Sequence, residues 1–481
     1  MTVTRCDSGP PGRLSTGSDQ LDAVLGGGIP RYSTVVLSGL PGTGKTILSH
    51  QAAFANAQAG RTCLYLSTLA EPPLKMLGFM RGFAFFQPDL VASTVCYADL
   101  GRALRTDGSA GVLAQLDRLV RAHRPELVVI DSFKCVRDCI RDPAALRAFT
   151  LDVVIQLTAW EVTALLVGAY KPQDVQQGAE FAIADGIIDL SDTVEAEKQK
   201  RFLRVLKMRG TSVLDGEHVF EIGAAGITVY PRLAPTMVGE PALGAGRAGS
   251  TIAGLRELLG GGLLPSTATL IRGAPGTGKT LVALSFLVDG ARRGEPGLMV
   301  SWEESPAQVM RSAQAFGWNP EELRRDKRLD MLHVSLAEVT IERHAVEVME
   351  RAQEVGARRI VLDSLSALAA AAPNVAMYEH YLWTLTEHFK RRGLTIIMTI
   401  EAARAAQNSQ LGMPVLSSIA DTIIALRYVA WDGERKRAVA VLKMRGSDHD
   451  AGLHELLIDA PHLAVGPRLA TVDLLGTPLP E

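Results

Sequence analysis

Hydrophobic residues along this chain gather into short continuous runs separated by longer stretches that read as helices, and the whole arrangement occurs twice. Leu127-Val128-Val129-Ile130 contains no polar side chain and ends at Asp131-Ser132, and Arg359-Ile360-Val361-Leu362 ends in the same way at Asp363-Ser364. A strand wetted on one face alternates apolar and polar residues, so continuous runs predict strands buried on both faces of a parallel sheet. Further runs at 34–37, 163–168, 269–271 and 394–400 predict additional central strands. Strands alternating with helices imply an α/β fold in each half, with a mostly parallel sheet flanked by helices. Ligands of such sheets sit beyond the carboxyl ends of the strands, which is where both acids fall.

Two of these runs lead into glycine-rich loops, Gly39-Leu40-Pro41-Gly42-Thr43-Gly44-Lys45-Thr46 and Gly273-Ala274-Pro275-Gly276-Thr277-Gly278-Lys279-Thr280. Both fit G-x-x-x-x-G-K-[ST] in the strand–loop–helix setting that gives the motif its meaning. The glycines allow successive backbone N–H groups, with those of Thr43 and Thr277, to point inward and cradle phosphate oxygens at a helix N-terminus. Lys45 and Lys279 are expected to reach the β- and γ-phosphates of ATP, and Thr46 and Thr280 to offer hydroxyls to Mg²⁺. Asp131 and Asp363 are expected to complete the metal site in the Walker-B role. The plainer alternative is that each caps the helix that follows.

The flanking sequence repeats as well. Leu25-Gly26-Gly27-Gly28-Ile29-Pro30 returns as Leu259-Gly260-Gly261-Gly262-Leu263-Leu264-Pro265, and Lys207-Met208-Arg209-Gly210 as Lys443-Met444-Arg445-Gly446. A repeat this long denotes duplicated domains rather than a solenoid of short units. The expected division is a first domain over 1–235, a linker over 236–249 rich in Pro, Gly and Ala, and a second domain over 250–481. A chain of 481 residues that is 47% hydrophobic can supply two cores. Its 50 basic and 52 acidic residues leave a net charge of −2, which gives no bulk attraction to nucleic acid or to anionic lipid. No apolar run approaches the roughly 18 residues of a membrane span and no apolar leader opens the chain, so the expected location is cytoplasmic. The five scattered cysteines fit a reducing compartment, and Cys135 and Cys139 read as structural thiols rather than metal ligands.

Phosphoryl transfer needs a carboxylate that orients or deprotonates the attacking oxygen. The run after the second P-loop helix ends in Ser301-Trp302-Glu303-Glu304-Ser305-Pro306, which sets two adjacent acids at a strand end. The first half offers Thr68-Leu69-Ala70-Glu71-Pro72-Pro73, with one glutamate missing. Acids at a solvated strand end are the plainer alternative.

Taken together, the Leu-Gly-Gly-Gly approach, the tandem P-loops, the Glu-Glu-Ser-Pro segment and the twin Lys-Met-Arg-Gly motifs resemble the KaiC family, double-domain ATPases and autokinases of the cyanobacterial clock. The resemblance covers nearly the whole chain. It implies two RecA-like P-loop NTPase domains, six chains stacked as a two-tiered ring, and ATP held between neighbouring subunits. It also implies slow hydrolysis in the first ring and phosphorylation of an adjacent Ser/Thr pair by the second. Carried onto this sequence, it makes Glu303 and Glu304 catalytic, with Glu303 as general base, and leaves Glu71 beside Ala70 in the first domain. Lys207, Arg209, Lys443 and Arg445 fall on residues that reach the γ-phosphate across the subunit interface, where a cation suits the charge of the transferring group. Ser417 and Ser418, just before Asp421-Thr422-Ile423-Ile424, fall on the phosphosites.

Ala370 replaces an arginine that steadies a phosphosite in the clock kinases. Only a short stretch follows Pro467-Arg468-Leu469 before Glu481, which leaves little room for the tail that binds the activator KaiA. The expectation is therefore a KaiC-like homologue with itself, KaiB-like proteins or other signalling proteins as partners. A DNA-handling RecA relative, or an ATP-driven assembly scaffold without kinase activity, is the competing class. Balanced charge and the absence of a basic loop interleaved with aromatics argue against the first of these.

Overall fold

The computed structural model describes residues 12–68, 73–140, 142–195, 198–232, 246–334, 341–372, 375–401, 413–431 and 433–469. They belong to two compact units that divide between Arg232 and Leu233. The first opens with a short antiparallel pair, β1 (Arg13–Leu14) and β2 (Ile29–Pro30). Its sheet contains β3 (Thr34–Gly39), β4 (Cys63–Ser67), β5 (Val95–Asp99), β6 (Leu127–Asp131), β7 (Thr163–Val167), β8 (Gly186–Glu195), β9 (Lys198–Met208), β10 (Glu217–Gly223) and β11 (Gly226–Tyr230). The second unit contains β12 (Ala268–Gly273), β13 (Gly297–Ser301), β14 (Leu329–His333), β15 (Arg359–Asp363), β16 (Thr395–Glu401), β17 (Thr422–Trp431), β18 (Glu434–Met444), β19 (His454–Asp459) and β20 (His462–Arg468).

Strand order is β5-β4-β6-β7-β3-β8-β9-β10-β11 in one sheet and β14-β13-β15-β16-β12-β17-β18-β19-β20 in the other. The two topologies are the same strand for strand. Six strands run parallel, and the last of them continues into an antiparallel series of three. Both units are RecA-like P-loop NTPase domains.

The continuous apolar runs are explained by side-chain alternation across a sheet covered on both faces. Leu127 and Val129 enter the core beneath the P-loop helix, whereas Val128 and Ile130 enter the core on the opposite face. In the second domain Val361 enters one core, and Ile360 and Leu362 the other. A polar residue anywhere in these runs would be buried, so no hydrophilic alternation is possible.

Near the end expected for the linker, Ala248 and Gly249 bond to residues of the second unit. The Ala248 N–H donates to Leu263 O at 2.8 Å, and Gly249 O accepts from buried Arg359 at 3.1 Å. Among the described residues no helix is long and apolar enough to cross a membrane. Nor do the described His, Cys, Asp and Glu residues form a cluster that could hold a metal on its own, and Cys63, Cys96, Cys135 and Cys139 are free thiols.

Candidate nucleotide sites

Each P-loop joins a central strand to a long helix, β3 to Lys45–Gln58 and β12 to Lys279–Arg292. The turn into the helix needs a left-handed residue: Gly44 has φ +102° and Gly278 has φ +98°. A side chain there would be strained in backbone and would strike Ile222 at 2.8 Å or Ile458 at 2.5 Å. Gly42 has nothing within 4 Å of a built Cβ, so the loop faces open space on that side. This is the cradle that phosphate oxygens require.

The lysines are folded onto their own loops. Lys45 Nζ donates to Leu40 O at 2.7 Å, and Lys279 Nζ donates to Ala274 O at 3.0 Å. Burial lowers the pKa of both ammonium groups from the usual lysine range. Asp131 and Asp189 oppose that shift in the first site, and Glu401, Asp363 and Glu303 oppose it in the second.

Parallel register brings the chemistry to one edge of each sheet, the edge formed by the carboxyl ends of its parallel strands. In the second domain Gly273 lies beside Glu401, and Ser301 lies beside Asp363. The P-loop, the Glu303–Glu304 pair and Asp363 thereby converge from strands far apart in sequence. Thr280 Oγ1 donates to Asp363 Oδ2 at 2.8 Å, and Thr399 donates to Asp363 Oδ1. Ser364 Oγ donates to Glu303 Oε1 at 3.1 Å. Glu304 is half-buried, and burial, together with the charges of Asp363 and Glu303, raises its carboxyl pKa. A raised carboxyl pKa favours proton acceptance, so Glu304 stands beside Glu303 as a candidate base.

In the first domain Thr46 Oγ1 donates to Asp131 Oδ2 at 2.8 Å, and Tyr65 donates to the same oxygen at 3.0 Å. Strand register sets Thr68 opposite Trp302, since each donates its N–H to the corresponding aspartate carbonyl at 3.0 Å. From Thr68 to Pro73 is one residue longer than from Trp302 to Pro306, where the matching helices are first seen. Ala70 and Glu71 lie in that interval, outside the described residues.

Comparison with known proteins identifies the architecture. The family model for the KaiC ATPase matches residues 14–234 and again 248–469. The chain belongs to the KaiC family. It is similar to the circadian clock oscillator protein KaiC of Rippkaea orientalis, 30% identical over 93% of this chain and 87% of that one. It is similar also to the same-named protein of Picosynechococcus sp., at 29% identity over 94% of this chain and 89% of that one. The circadian clock protein KaiC3 of Synechocystis sp. is 27% identical over 97% of this chain and 94% of its own length.

The Lys-Met-Arg motifs of this KaiC-family chain lie at the other edge of the sheets. Met444 pairs with Thr422, which pairs with Thr269, whereas the P-loop leaves the sheet at Gly273. At about 3.3 Å per residue this puts roughly 13 Å of strand between Met444 and the P-loop of its own domain. Lys443 Nζ donates to Ser417 O at 2.6 Å and to Ala420 O at 2.7 Å, and Arg445 donates to Ser418 O at 3.4 Å. Ser417 is half-buried and Ser418 exposed on the helix Met413–Ile419. In the first domain Met208 pairs with Gly186 at the matching edge; Lys207 donates to Ala182 O at 3.1 Å, and Arg209 meets Asp185 at 3.4 Å.

Sequence reading passed over Tyr65, Thr399, Ser364 and Glu401. Thr399 had a signal, a hydroxyl near the end of the apolar run 394–400. Tyr65 had none, because its ring reads as core and only its oxygen reaches the aspartate.

Proposed function

We propose that the chain binds ATP with Mg²⁺ at both P-loops, hydrolyses it, and forms a homo-hexameric ring with nucleotide between neighbouring copies. Its second domain acts as a serine autokinase on Ser417 and Ser418. The observation that carries this reading is the separation of each domain's chemistry onto opposite sheet edges. The Lys443–Arg445 cations and the serine pair are too far from their own P-loop to serve it. A neighbouring copy that turns this edge toward the P-loop supplies both the cations and the acceptor serine. A heterologous contact of that kind closes naturally into a ring.

The residues suit Mg²⁺, a hard cation that takes oxygen ligands and bridges phosphates. Thr46 with Asp131, and Thr280 with Asp363, each bring a hydroxyl and a carboxylate oxygen within 2.8 Å of one another. When bound, the ion neutralises charge on the β- and γ-phosphates. Lys279 exchanges Ala274 O for a phosphate oxygen. Glu303 or Glu304 accepts the one proton of the serine hydroxyl as its oxygen bonds the γ-phosphorus and the bond to the ADP oxygen breaks, because an unassisted hydroxyl is a weak nucleophile. Lys443 and Arg445 of the adjoining copy hold the charge that develops on the phosphoryl oxygens. A clock-type or signalling role, KaiB-like partner proteins and a cytoplasmic location complete the reading, supported by the relatives and by the balanced charge.

Intact-mass spectrometry before and after incubation with Mg·ATP tests it. One or two added phosphoryl groups are expected, and both should vanish in Ser417→Ala/Ser418→Ala. Unchanged mass with nucleotide bound would reduce the protein to an ATP-driven scaffold, and label that persists in the double variant would remove these two serines.

A further inference from the structure

The Walker-B aspartates of the two domains differ in how their oxygens are shared. Asp363 divides its donors, with Thr280 on Oδ2 and Thr399 on Oδ1. In the first domain the position of Thr399 is taken by Val167, since Leu37 pairs with Val167 as Ile271 pairs with Thr399. The missing hydroxyl is supplied from another strand. Tyr65, at the position of Met299 on the matching strand, reaches Asp131 and donates to Oδ2. That oxygen also receives Thr46, the hydroxyl assigned above to the cation.

Tyr65 is held firmly in this pose. Its side chain is fully buried, the Ser49 hydroxyl lies 3.0 Å from its oxygen, and the His50 ring packs 4.0 Å from its own. An ionised carboxylate can only accept, so toward the aspartate the phenol acts as the donor. A carboxylate oxygen offers about two lone pairs. On Asp131 Oδ2 Thr46 and Tyr65 take both, whereas among the described residues Asp363 Oδ2 accepts a hydroxyl from Thr280 alone. A cation held at Thr46 would share the charge of that oxygen with the phenol.

We infer that Tyr65 is a positioning residue that weakens the hold of the first site on its divalent cation, so that ATP binding there half-saturates at a higher Mg²⁺ concentration than it would without the phenol hydroxyl. The inference rests on the reading of both P-loops as Mg·ATP sites. It assigns the asymmetry between the domains to a hydroxyl as well as to the missing glutamate.

The test is equilibrium binding of ATP to the full chain carrying Lys279→Ala, which silences the second loop, over a Mg²⁺ titration. Tyr65→Phe in that background removes one oxygen, and Ser49 retains Thr46 O as a partner at 3.0 Å. The half-saturating Mg²⁺ concentration is expected to fall about tenfold, the scale of one hydrogen bond to a charged group. Tyr97→Phe, which deletes a neighbouring buried hydroxyl with no hydrogen-bond partner among the described residues, should leave it unchanged. A half-saturation point in Tyr65→Phe within twofold of its parent, or one that rises, overturns the inference while leaving ATP binding intact. Failure of the Lys279→Ala chain to bind ATP at any Mg²⁺ concentration overturns the reading of the first site, and this inference with it.

Discussion

The two domains have the same strand order, the same lysine tether and the same threonine–aspartate distance, yet they surround these parts differently. The second site gathers Glu401, Asp363 and Glu303 about one ammonium group. The first has Asp131 and Asp189 as the acids that act on Lys45, with a tyrosine bound to the aspartate oxygen that Thr46 also reaches. Duplication therefore preserved the parts that grip phosphate and left free the parts that set its reactivity. The fold constrains the former through backbone geometry, and the latter are single side chains at strand ends.

The sharpest way to break this comparison is to remove the cation expected to act across the ring. Arg445→Ala should lower phosphoryl transfer at the second site by about 10³–10⁵-fold, the usual worth of such an arginine. Because Arg445 also bonds within its own chain, the decisive measurement is mixing. Rings formed from Arg445→Ala and Glu303→Gln chains contain some interfaces with both groups intact. Recovered activity on mixing is expected, and none at all would place the arginine's role inside one chain.

Removing the carboxylates comes next. Glu303→Gln and Glu304→Gln should each reduce phosphorylation by about 10²–10⁴-fold if they share the base role. The ranking of the two shows whether the raised pKa of Glu304 or the Ser364 contact of Glu303 governs proton transfer. Glu71→Gln should cost hydrolysis far less. An equal loss at Glu71 would mean that the first domain is the stronger hydrolase.

Lys45→Ala and Lys279→Ala separate assembly from chemistry. Light scattering with a non-hydrolysable ATP analogue should show Lys45→Ala impairing ring formation more, and Lys279→Ala leaving rings that no longer phosphorylate. Intact rings with equal loss of hydrolysis in both variants would contradict that division.

The smallest effect concerns acid stability, where the domains should behave alike. His50 in the first and His344 in the second are buried, and desolvation lowers each pKa from 6.5 to about 4. Below pH 6.5 the unfolded chain takes up a proton that the folded chain refuses, so stability falls from pH 6.5 to about 4 and is complete above that window. At about 1.4 kcal/mol per pKa unit the loss approaches roughly 3 kcal/mol per histidine. His344 Nε2 also accepts from Trp302 Nε1 at 3.0 Å, a bond that protonation would oppose. Thermal unfolding across this pH range should flatten in His344→Phe for the second domain and in His50→Phe for the first.

The sequence by itself determined the duplicated α/β plan, the two phosphate loops and the two aspartates. Each of these is written in contiguous residues: an apolar run that must be buried, or glycines that a left-handed turn requires. It also supplied the identities of Glu303, Glu304, Lys443 and Arg445, but not their separation, because strand register decides which sheet edge a residue occupies. Only the tertiary structure revealed that the Lys-Met-Arg motif and the P-loop stand at opposite edges of one sheet. Only the tertiary structure, too, could exchange the hydroxyl of Thr399 for that of Tyr65. The two residues lie on different strands and share no sequence signal. What they share is the aspartate each reaches, and what separates them is the oxygen, Oδ1 for Thr399 and Oδ2 for Tyr65.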